Sequence, residues 1–461
     1  MSALTVVILA AGEGKRMRSR QPKVLHRLCG RPLLGYPLRI ARALSDRIVV
    51  VAPTNSDGIA TLAGPDVTTV VQRERLGTGH AVLQAQEACG DGAILVLPGD
   101  MPLLRVETIE RLVQHHTTTG AAATLLTAIV DAPSGYGRVL RQRGRVTRIV
   151  EERDATDDQR KVNEIATSVY CFDARRLWPA LAQVRPDNDQ GEYYLTDIIG
   201  VLSRSGARIE AVAVPEAADA MGVNDRRQLA AAATIQRQRI LDALMESGVT
   251  ILDPASTYIE DTVTIGPDTV IYPQVVIEGA TEIGGECVVG AGCHVDGCRL
   301  GDRVRLKPYC VLTDSVIEDE AELGPFCHLR PKVHIGARAK IGNFVEVKKS
   351  RIGRGSKANH LAYIGDAVVG ENANIGAGAI TCNYDGQAKH PTTIGDRVFV
   401  GTNATLVAPL TIGEGAYIGG GSVITKDVPP GALAVGRAHQ VVKEGWAARR
   451  AARRQRPPEK D

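Results

Sequence analysis

The sequence predicts an α/β domain with a parallel sheet, followed by a parallel β-helix of hexapeptide repeats. Before residue 250, short apolar runs alternate with segments of helical periodicity, the pattern of a parallel α/β sheet. After residue 250, aliphatic residues recur at every sixth position. The 461 residues include 48 glycines and only 4% aromatics, which is typical of many tight turns around an aliphatic core.

Charge and composition narrow the classes of function. The chain has 55 Lys+Arg and 52 Asp+Glu, a formal charge of +3, so we predict no nucleic-acid partner. No stretch reaches the roughly 20 apolar residues of a membrane helix, so we predict no membrane partner. The nine cysteines, an odd number, do not indicate a disulfide framework, and we expect a reducing, cytoplasmic compartment.

The first domain is predicted from its apolar runs. Residues 6–10, 48–52 and 94–97 are expected to form buried strands, with a helix over residues 106–115. A second helical pattern covers residues 225–247, begins after a possible Asn224 cap and stops at Gly248. We therefore predict a domain over 1–224, a linker helix over 225–248 and a second domain over 249–461.

The second domain carries the sixfold repeat. A period of six predicts a β-helix in which each short strand points one aliphatic side chain inward. An interruption at residues 382–393 predicts a loop extruded from the coil. The repeated aliphatic positions are Ile265, Ile271, Ile277, Ile283, Val289, Val295, Leu323, Leu329, Ile335, Ile341, Val347, Ile394, Val400, Leu406, Ile412, Ile418 and Ile424.

A glycine-rich turn follows the first predicted strand. Residues 9–17 read L-A-A-G-E-G-K-R-M, and Pro22 and Lys23 come shortly after. Glycines let backbone N–H groups approach phosphate oxygens, and Arg16 and Lys23 can neutralise the charge that accumulates in phosphoryl transfer. The spacing fits neither a P-loop nor a dinucleotide fingerprint.

A histidine interrupts the repeat of the second domain. Acyl transfer to an amine needs a base, and histidine suits that task near neutral pH. His360 lies among polar residues at 356–366 and is predicted to be that base. Glu346 is predicted to orient the imidazole and stabilise its charged form.

Both motif sets together resemble a known family. The N-terminal motifs resemble the sugar nucleotidyltransferases, and residues 357–366 match the acetyltransferase pattern K-x-x-H-L-x-Y-x-G-D. The whole chain resembles the family of bifunctional N-acetylglucosamine-1-phosphate uridylyltransferase/glucosamine-1-phosphate acetyltransferases. The N-terminal resemblance rests on L-A-A-G-x-G-x-R-M, P-K, Gln72, Gly77, Thr78, Gly99, Asp100, Gly135, Tyr136, Gly137, Glu151, Gly222, Val223 and Asn224.

The resemblance implies a fold and two reactions. The fold would be a Rossmann-like nucleotidyltransferase domain followed by a left-handed parallel β-helix that forms a homotrimer with active sites between adjacent solenoids. The β-helix would transfer acetyl from acetyl-CoA to glucosamine 1-phosphate. The first domain would then transfer uridylyl from UTP to N-acetylglucosamine 1-phosphate with Mg²⁺, releasing pyrophosphate.

The resemblance also implies roles for individual residues. Asp100 and Asn224 supply the hard oxygens that Mg²⁺ prefers, and Arg16 and Lys23 act on the phosphates. The implied nucleotide- and sugar-binding residues are Leu9, Ala10, Ala11, Gly12, Lys23, Gln72, Gly77, Thr78, Gly99, Gly137, Glu151 and Asn224. In the second domain they are Arg330, Lys348, Tyr363 and Asn374 for the acceptor, and Ala377, Asn383, Tyr384, Thr402, Gly420 and Arg437 for acetyl-CoA.

One departure bears on the sugar. The family's sugar-contacting Asn, in the pattern E-[IV]-N-[TS]-G, is replaced by Ala166 in the segment E-I-A-T-S at residues 164–168. Losing such a hydrogen bond typically costs about 0.5–1.5 kcal/mol, and we expect Thr167 or a water to substitute.

Two alternatives remain open. The chain could be a nucleotidyltransferase alone, with the β-helix as a trimerising scaffold, although the presence of Arg330, Lys348 and His360 argues against this. It could instead be a sugar-nucleotide pyrophosphorylase of other specificity, which Ala166 favours. Release of free thiol and of pyrophosphate distinguishes the three.

Overall fold

The computed structural model describes residues 4–55 and 57–454. The chain divides into two compact units: the described residues up to Ala243 with Ile259–Thr262, and Leu244–Tyr258 with the described residues from Val263 onward. Residues 455–461, the end of the predicted second domain, lie outside the described part, as do residues 1–3, the start of the predicted first domain, and residue 56.

A sheet forms the centre of the first unit. The strands of this unit are β1 (Leu4–Leu9), β2 (Arg27–Leu28), β3 (Arg31–Pro32), β4 (Ile48–Pro53), β5 (Thr68–Gln72), β6 (Ala93–Pro98), β7 (Ala123–Ile129), β8 (Arg138–Gln142), β9 (Arg145–Val150), β10 (Glu164–Asp173) and β11 (Ile209–Ala213). The central sheet has the order β11-β7-β10-β6-β1-β4-β5, with the β8–β9 hairpin attached to β10. The strands β2 and β3 pair separately.

Helices connect these strands. They are α1 (Gly35–Leu44), α2 (Asp57–Ala63), α3 (Thr78–Leu83), α4 (Val106–Thr119), α5 (Asp157–Arg160), α6 (Ala174–Leu181), α7 (Asp197–Arg204) and α8 (Arg226–Glu246). Short 3-10 turns cover Lys15–Met17, Lys23–Leu25, Gln86–Ala88, Ala217–Ala220 and, in the second unit, Pro254–Ser256.

The central strands are apolar throughout because both faces of the sheet are covered. Alternate residues of β1 enter two different cores: Val6 and Ile8 pack into one and Val7 into the other. The predicted α/β class is confirmed. The sheet is parallel at β1, β4, β5 and β6, whereas β10 runs antiparallel to β6 and β7.

The second unit is a left-handed parallel β-helix, as predicted. Within the described residues its strands stack into three sheets of 11, 10 and 9 strands. The first sheet contains Thr250–Ile251, Val270–Ile271, Val288–Val289, Arg305–Leu306, Glu322–Leu323, Lys340–Asn343, Lys357–His360, Asn374–Ile375, Phe399–Val400, Tyr417–Ile418 and Leu433–Ala434.

The other two sheets close the prism. The second sheet contains Tyr258–Ile259, Val276–Glu278, His294–Asp296, Val311–Thr313, His328–Leu329, Glu346–Lys348, Tyr363–Gly365, Ile380–Cys382, Thr405–Val407 and Val423–Ile424. The third contains Thr264–Ile265, Glu282–Ile283, Arg299–Leu300, Ser315–Ile317, Val333–Ile335, Arg351–Ile352, Ala367–Val369, Thr392–Ile394 and Leu410–Ile412.

All of the sixfold aliphatic positions named above are buried. They fill the interior because each strand points one side chain inward and stacks on the strand of the next coil. The extruded loop lies between Ile380–Cys382 and Thr392–Ile394, where Tyr384 and Lys389 form an isolated antiparallel bridge.

A basic helix, α9 (Trp446–Arg454), follows the β-helix. All of its residues are exposed, and Arg450 lies over the Trp446 ring. Among the described residues, none of the helices combines the length and apolarity needed to cross a membrane.

Candidate active sites

The first candidate site lies where β6 ends. Asp100 follows this strand, and the Val223 N–H donates to the Asp100 carbonyl at 2.9 Å. This backbone bond places Asn224 beside Asp100. Lys23 Nζ donates to the Asp100 carboxylate and, at 2.9 Å, to Asn224 Oδ1. The three predicted residues therefore form one cluster at the carboxyl edge of the sheet, where α/β sheets bind ligands.

The donor set of this cluster fits Mg²⁺. The oxygens of Asp100 and Asn224 converge on a single cationic group, the Lys23 ammonium. One carboxylate and one amide oxygen are ligands that Mg²⁺ accepts, with water and substrate phosphates completing its coordination. Among the described residues there is no cluster of three or more acidic, His or Cys side chains that could hold a metal by itself.

Glycine is needed at the floor of this site. The Gly99 N–H donates to the Leu9 carbonyl at 2.9 Å, and a Cβ on Gly99 would lie 2.8 Å from the same oxygen. The glycine-rich turn also packs closely, because Gly14 has a φ of +65° and faces Lys23. Arg16 is exposed on the adjoining 3-10 turn.

A cavity of about 210 Å³ adjoins Asp100 and Asn224. Glu151, predicted to contact the sugar, lines it and accepts a hydrogen bond from Thr196 Oγ1 at 3.0 Å. Burial raises the pKa of Glu151, as do the carboxylates of Asp197 and Asp154, whereas the Thr196 hydrogen bond lowers it. Gly137 faces Glu151 across the cavity wall, where a Cβ would lie 3.4 Å from Glu151 Oε2.

The predicted nucleotide residues form a neighbouring group. The buried Gln72 amide donates to the Gly77 carbonyl at 3.2 Å and lies 3.1 Å from His80 Nδ1. Gly77 has a φ of +106°, and a Cβ there would lie 2.6 Å from the Tyr193 carbonyl. Thr78 opens α3 and accepts from the Leu195 N–H at 3.0 Å.

The Ala166 segment also lines the cavity. Its backbone N–H donates to the Gly137 carbonyl at 2.9 Å. Thr167, the residue expected to substitute for the missing Asn, donates its buried hydroxyl to the Leu126 carbonyl at 2.8 Å. The hydroxyl hydrogen of Thr167 is thus committed to the backbone.

The second candidate site is centred on His360. Asn343 and His360 are register partners in adjacent coils of the first sheet. The imidazole Nδ1 lies 2.6 Å from Asn343 Oδ1, and His360 is exposed. Because an amide oxygen only accepts, Nδ1 carries the hydrogen, which leaves the Nε2 lone pair free to take a proton.

Glu346 has a different partner from the one predicted. It belongs to the second sheet, where its register partner is Tyr363, and it accepts from Arg330 Nη1 at 3.0 Å. In the structure, therefore, Asn343 contacts the imidazole, and Glu346 pairs with Arg330, a cation predicted for the acceptor site. The reason is the strand register. Glu346 lies three residues after Asn343, on a strand of the second sheet, whereas Asn343 and His360 lie on adjacent strands of the first.

Three cations gather beside this site. The Lys389 ammonium lowers the pKa of Lys348, burial adds to the effect and Arg330 acts in the same direction, whereas Asp366 raises it. Lysine and arginine side chains of this kind can donate charge-assisted hydrogen bonds to an anion such as phosphate. Lys389 comes from the extruded loop.

Comparison with known proteins finds family matches in both the N-terminal and the C-terminal half of the chain. Family profiles match residues 6–202 as a MobA-like NTP transferase domain, 314–406 as a GMPPB C-terminal domain and 391–426 as bacterial transferase hexapeptide repeats. The bifunctional protein GlmU of Geobacillus sp. (strain WCH70) is 48% identical over 96% of this chain and 97% of its own length. That of Trichlorobacter lovleyi is 46% identical over 97% of this chain and 98% of its own length.

The chain belongs to the bifunctional GlmU family. The predicted family is confirmed, and the chain is a bifunctional nucleotidyltransferase and acetyltransferase of UDP-N-acetylglucosamine biosynthesis. A solved structure of a putative glucose-1-phosphate thymidylyltransferase from Bacillus anthracis is 20% identical to this chain, with a TM-score of 0.43, and the match covers 50% of this chain and 95% of that one.

For this GlmU family member, the residues predicted for acetyl-CoA follow one edge of the β-helix. The Asn403 N–H donates to the Ala377 carbonyl at 2.7 Å, and the Gly421 N–H donates to the Thr402 carbonyl at 2.7 Å. Arg437 Nη1 donates to the Gly420 carbonyl at 2.7 Å. Ala377, Thr402 and Gly420 therefore mark successive coils.

The extruded loop and the acceptor residues lie on neighbouring strands. Asn383 Nδ2 donates to Asp366 Oδ2 at 2.5 Å, and Tyr384 is exposed at the loop. Tyr363 is half-buried on the second sheet, and Asn374 is half-buried on the first, where it pairs with Lys357. Tyr363 and Asn374, two of the four predicted acceptor residues, thus occupy different faces of the coil.

Sequence reasoning missed three contacts of the two sites. Asn343 was detectable, because it precedes His360 by 17 residues and so lies one coil away. Lys389 carried a weaker signal, as a cation within the interruption of the repeat. Thr196 carried none, because its bond to Glu151 joins residues 45 positions apart.

Proposed function

We propose that this chain makes UDP-N-acetylglucosamine in two steps, each in its own unit. The second unit acetylates the amine of glucosamine 1-phosphate with acetyl-CoA. The first unit transfers uridylyl from UTP to the resulting N-acetylglucosamine 1-phosphate and releases pyrophosphate. The observation that carries the proposal is that one chain brings Lys23, Asp100 and Asn224 together in the first unit and places His360 against Asn343 in the second.

In uridylyl transfer, a phosphate oxygen of the sugar attacks the α-phosphate of UTP in line. This chemistry needs positioning and charge neutralisation and no nucleophilic side chain. Asp100 and Asn224 would hold Mg²⁺, which when bound neutralises phosphate charge. Lys23 is held between those two residues and would bind a phosphate oxygen, and Arg16 on the exposed turn would bind another.

In acetyl transfer, the amine nitrogen attacks the thioester carbonyl. The C–N bond forms, the C–S bond breaks and coenzyme A leaves as the thiol. His360 takes the proton that the amine loses, on the Nε2 atom left free by the contact of Nδ1 with Asn343. Arg330, Lys348 and Lys389 would bind the phosphate of the acceptor.

We propose that the chain works as a homotrimer. Tyr309, Phe326 and Phe344 stack on successive coils with ring centroids 5.3 Å apart, yet they are 49%, 47% and 56% exposed. Leu361 extends this aromatic ladder and is 62% exposed. An apolar surface of this kind marks an interaction site. The ladder adjoins Asn343 and His360 in sequence, so a second copy covering it would also border the acetyl-transfer site.

We further propose that the protein acts in the cytoplasm. All nine cysteines are free thiols in the structure, which suits a reducing compartment.

The test is to incubate the purified chain with each set of substrates separately. Glucosamine 1-phosphate with acetyl-CoA should release free thiol, and UTP with N-acetylglucosamine 1-phosphate and Mg²⁺ should release pyrophosphate. Absence of thiol release would leave a nucleotidyltransferase with a β-helical scaffold. Pyrophosphate release with another hexose phosphate, but not with this one, would favour the other specificity that Ala166 suggests.

A further inference from the structure

Ser168 is an unusual residue in the wall of the 210 Å³ cavity. It lies in β10, where pairing with β7 is irregular between Ala166 and Tyr170. Its φ is +62°, its side chain is exposed and it lines the cavity together with Glu151 and Ala166. The irregularity therefore turns a serine toward the predicted sugar site.

Glycine would be the easier residue for this backbone. A residue with a Cβ is strained at positive φ, whereas glycine is not. The family pattern described above, E-[IV]-N-[TS]-G, has glycine at this position, and this chain has serine together with alanine in place of the Asn.

The hydroxyl of Ser168 is also available. It forms no hydrogen bond with any residue in the described ranges 4–55 and 57–454. Its neighbours are engaged or apolar: Thr167 donates to Leu126, Thr196 donates to Glu151, and Ala166 presents a methyl group. Ser168 therefore offers the cavity a donor and an acceptor close to the place where Ala166 has none.

We propose that Ser168 is a specificity-determining residue that contacts the acceptor sugar. Its hydroxyl forms a hydrogen bond with a hydroxyl or amide group of the hexose 1-phosphate, in place of the carboxamide that Ala166 lacks. This inference rests on the proposed uridylyl transfer.

Two substitutions separate this role from a structural one. Ser168→Ala removes the hydroxyl and keeps the Cβ, so the KM for N-acetylglucosamine 1-phosphate should rise about two- to tenfold, the range expected for one hydrogen bond, with an unchanged KM for UTP and an unchanged Tm. Ser168→Gly should raise the same KM to a similar extent and also raise the Tm, because the strain at positive φ is relieved.

Control and rescue variants complete the test. Arg143→Gly relieves the same backbone conformation in the β8–β9 turn, where φ is +50°, and should not change the sugar KM. Ala166→Asn added to Ser168→Gly should lower the KM again. An unchanged sugar KM in both Ser168 variants would overturn the proposal.

Direct binding of N-acetylglucosamine 1-phosphate distinguishes this inference from the proposed function. If the unmodified chain released no pyrophosphate, the proposal of uridylyl transfer would be refuted. A weaker binding of N-acetylglucosamine 1-phosphate by Ser168→Ala would still support the contact between Ser168 and the sugar. Equal affinity of the unmodified chain and Ser168→Ala would overturn the contact even if pyrophosphate were released.

Discussion

At the scale of single residues, the partner of the imidazole decides which nitrogen can act. Asn343 Oδ1 lies 2.6 Å from His360 Nδ1. An amide oxygen fixes the tautomer and the ring orientation, but it does not stabilise the charged ring as a carboxylate would. The proposed base, His360, is therefore positioned by a neutral group, and the nearby carboxylate of Glu346 accepts a hydrogen bond from Arg330.

Asn343→Ala should lower the kcat of acetyl transfer about tenfold, the upper range for loss of one neutral hydrogen bond. Its pyrophosphate release should be unchanged. Asn343→Asp keeps an acceptor for the Nδ1 hydrogen and should therefore retain more activity than Asn343→Ala. The measurement is steady-state thiol release across pH. Full activity of Asn343→Ala would contradict the assigned tautomer.

A second residue prediction concerns pH. Because Lys389 lowers the pKa of Lys348, Lys348 loses its proton at a lower pH than an ordinary lysine does. As the pH rises, the affinity for the phosphate of glucosamine 1-phosphate should therefore begin to fall at a lower pH than it would with an ordinary lysine. In Lys389→Met, the KM for glucosamine 1-phosphate should rise about tenfold at neutral pH, while its further alkaline rise should begin at a higher pH than in the unmodified chain.

The matched control for this prediction is Lys349→Met. Lys349 is exposed and adjoins Lys348 in sequence, so its removal should leave both the KM and the alkaline limb in place. An alkaline limb that stays at the same pH in Lys389→Met would refute the coupling between the two lysines.

At the scale of elements, α8 anchors the segments that carry Asp100 and Asn224. Arg239, on this helix, donates to the Leu103 carbonyl at 2.8 Å and to the carboxylate of Asp219. Asp219 is fully buried and also lies 3.3 Å from Arg105 Nε. One side chain thus ties the segment following Asp100 to the segment preceding Asn224.

Arg239→Met should destabilise the first unit by about 3 kcal/mol, because a buried carboxylate loses a partner. Calorimetry on the whole chain would measure this loss of stability. The first unit is identified by the unfolding transition whose midpoint temperature rises when UTP and Mg²⁺ are added. Gln238→Ala removes an exposed bond to Asp242 on the same helix and should cost less than about 0.5 kcal/mol. Equal effects of the two substitutions would argue against the anchoring role.

The sequence predicted the strands and helices better than it predicted the contacts between residues. The aliphatic residues at every sixth position predict which side chains are buried, because each coil repeats the same inward-pointing position. Strands β1, β4 and β6 are predicted by continuous apolar runs in the sequence. The antiparallel direction of β10 has no such local signal. It depends on the β8–β9 hairpin and on pairing with distant strands.

For the candidate sites, the sequence predicts residue types, whereas the contacts between those residues depend on the fold. Lys23 and Asn224 are 201 residues apart, so their hydrogen bond follows from the backbone pairing of Val223 with Asp100 rather than from any motif. Glu346 was the reasonable choice by chemistry, whereas coil register selected Asn343.

At the scale of the whole molecule, the aromatic ladder predicts self-association. Phe344→Asp should place a charge within the apolar surface formed by Tyr309, Phe326, Phe344 and Leu361 and convert the proposed homotrimer to monomers, as measured by sedimentation. Acetyl transfer should fall with it, while uridylyl transfer should remain. Val368→Asp, an equally exposed position on the third sheet, should leave the assembly unchanged. A monomeric unmodified chain would refute the proposal.

The central claim is that one chain carries two separate reactions. The most direct measurement follows thiol release and pyrophosphate release in parallel for the unmodified chain, Asp100→Ala and His360→Ala, each checked for an intact fold. We expect Asp100→Ala to lose only pyrophosphate release and His360→Ala to lose only thiol release. Loss of both activities from either single substitution in a folded protein would contradict the account.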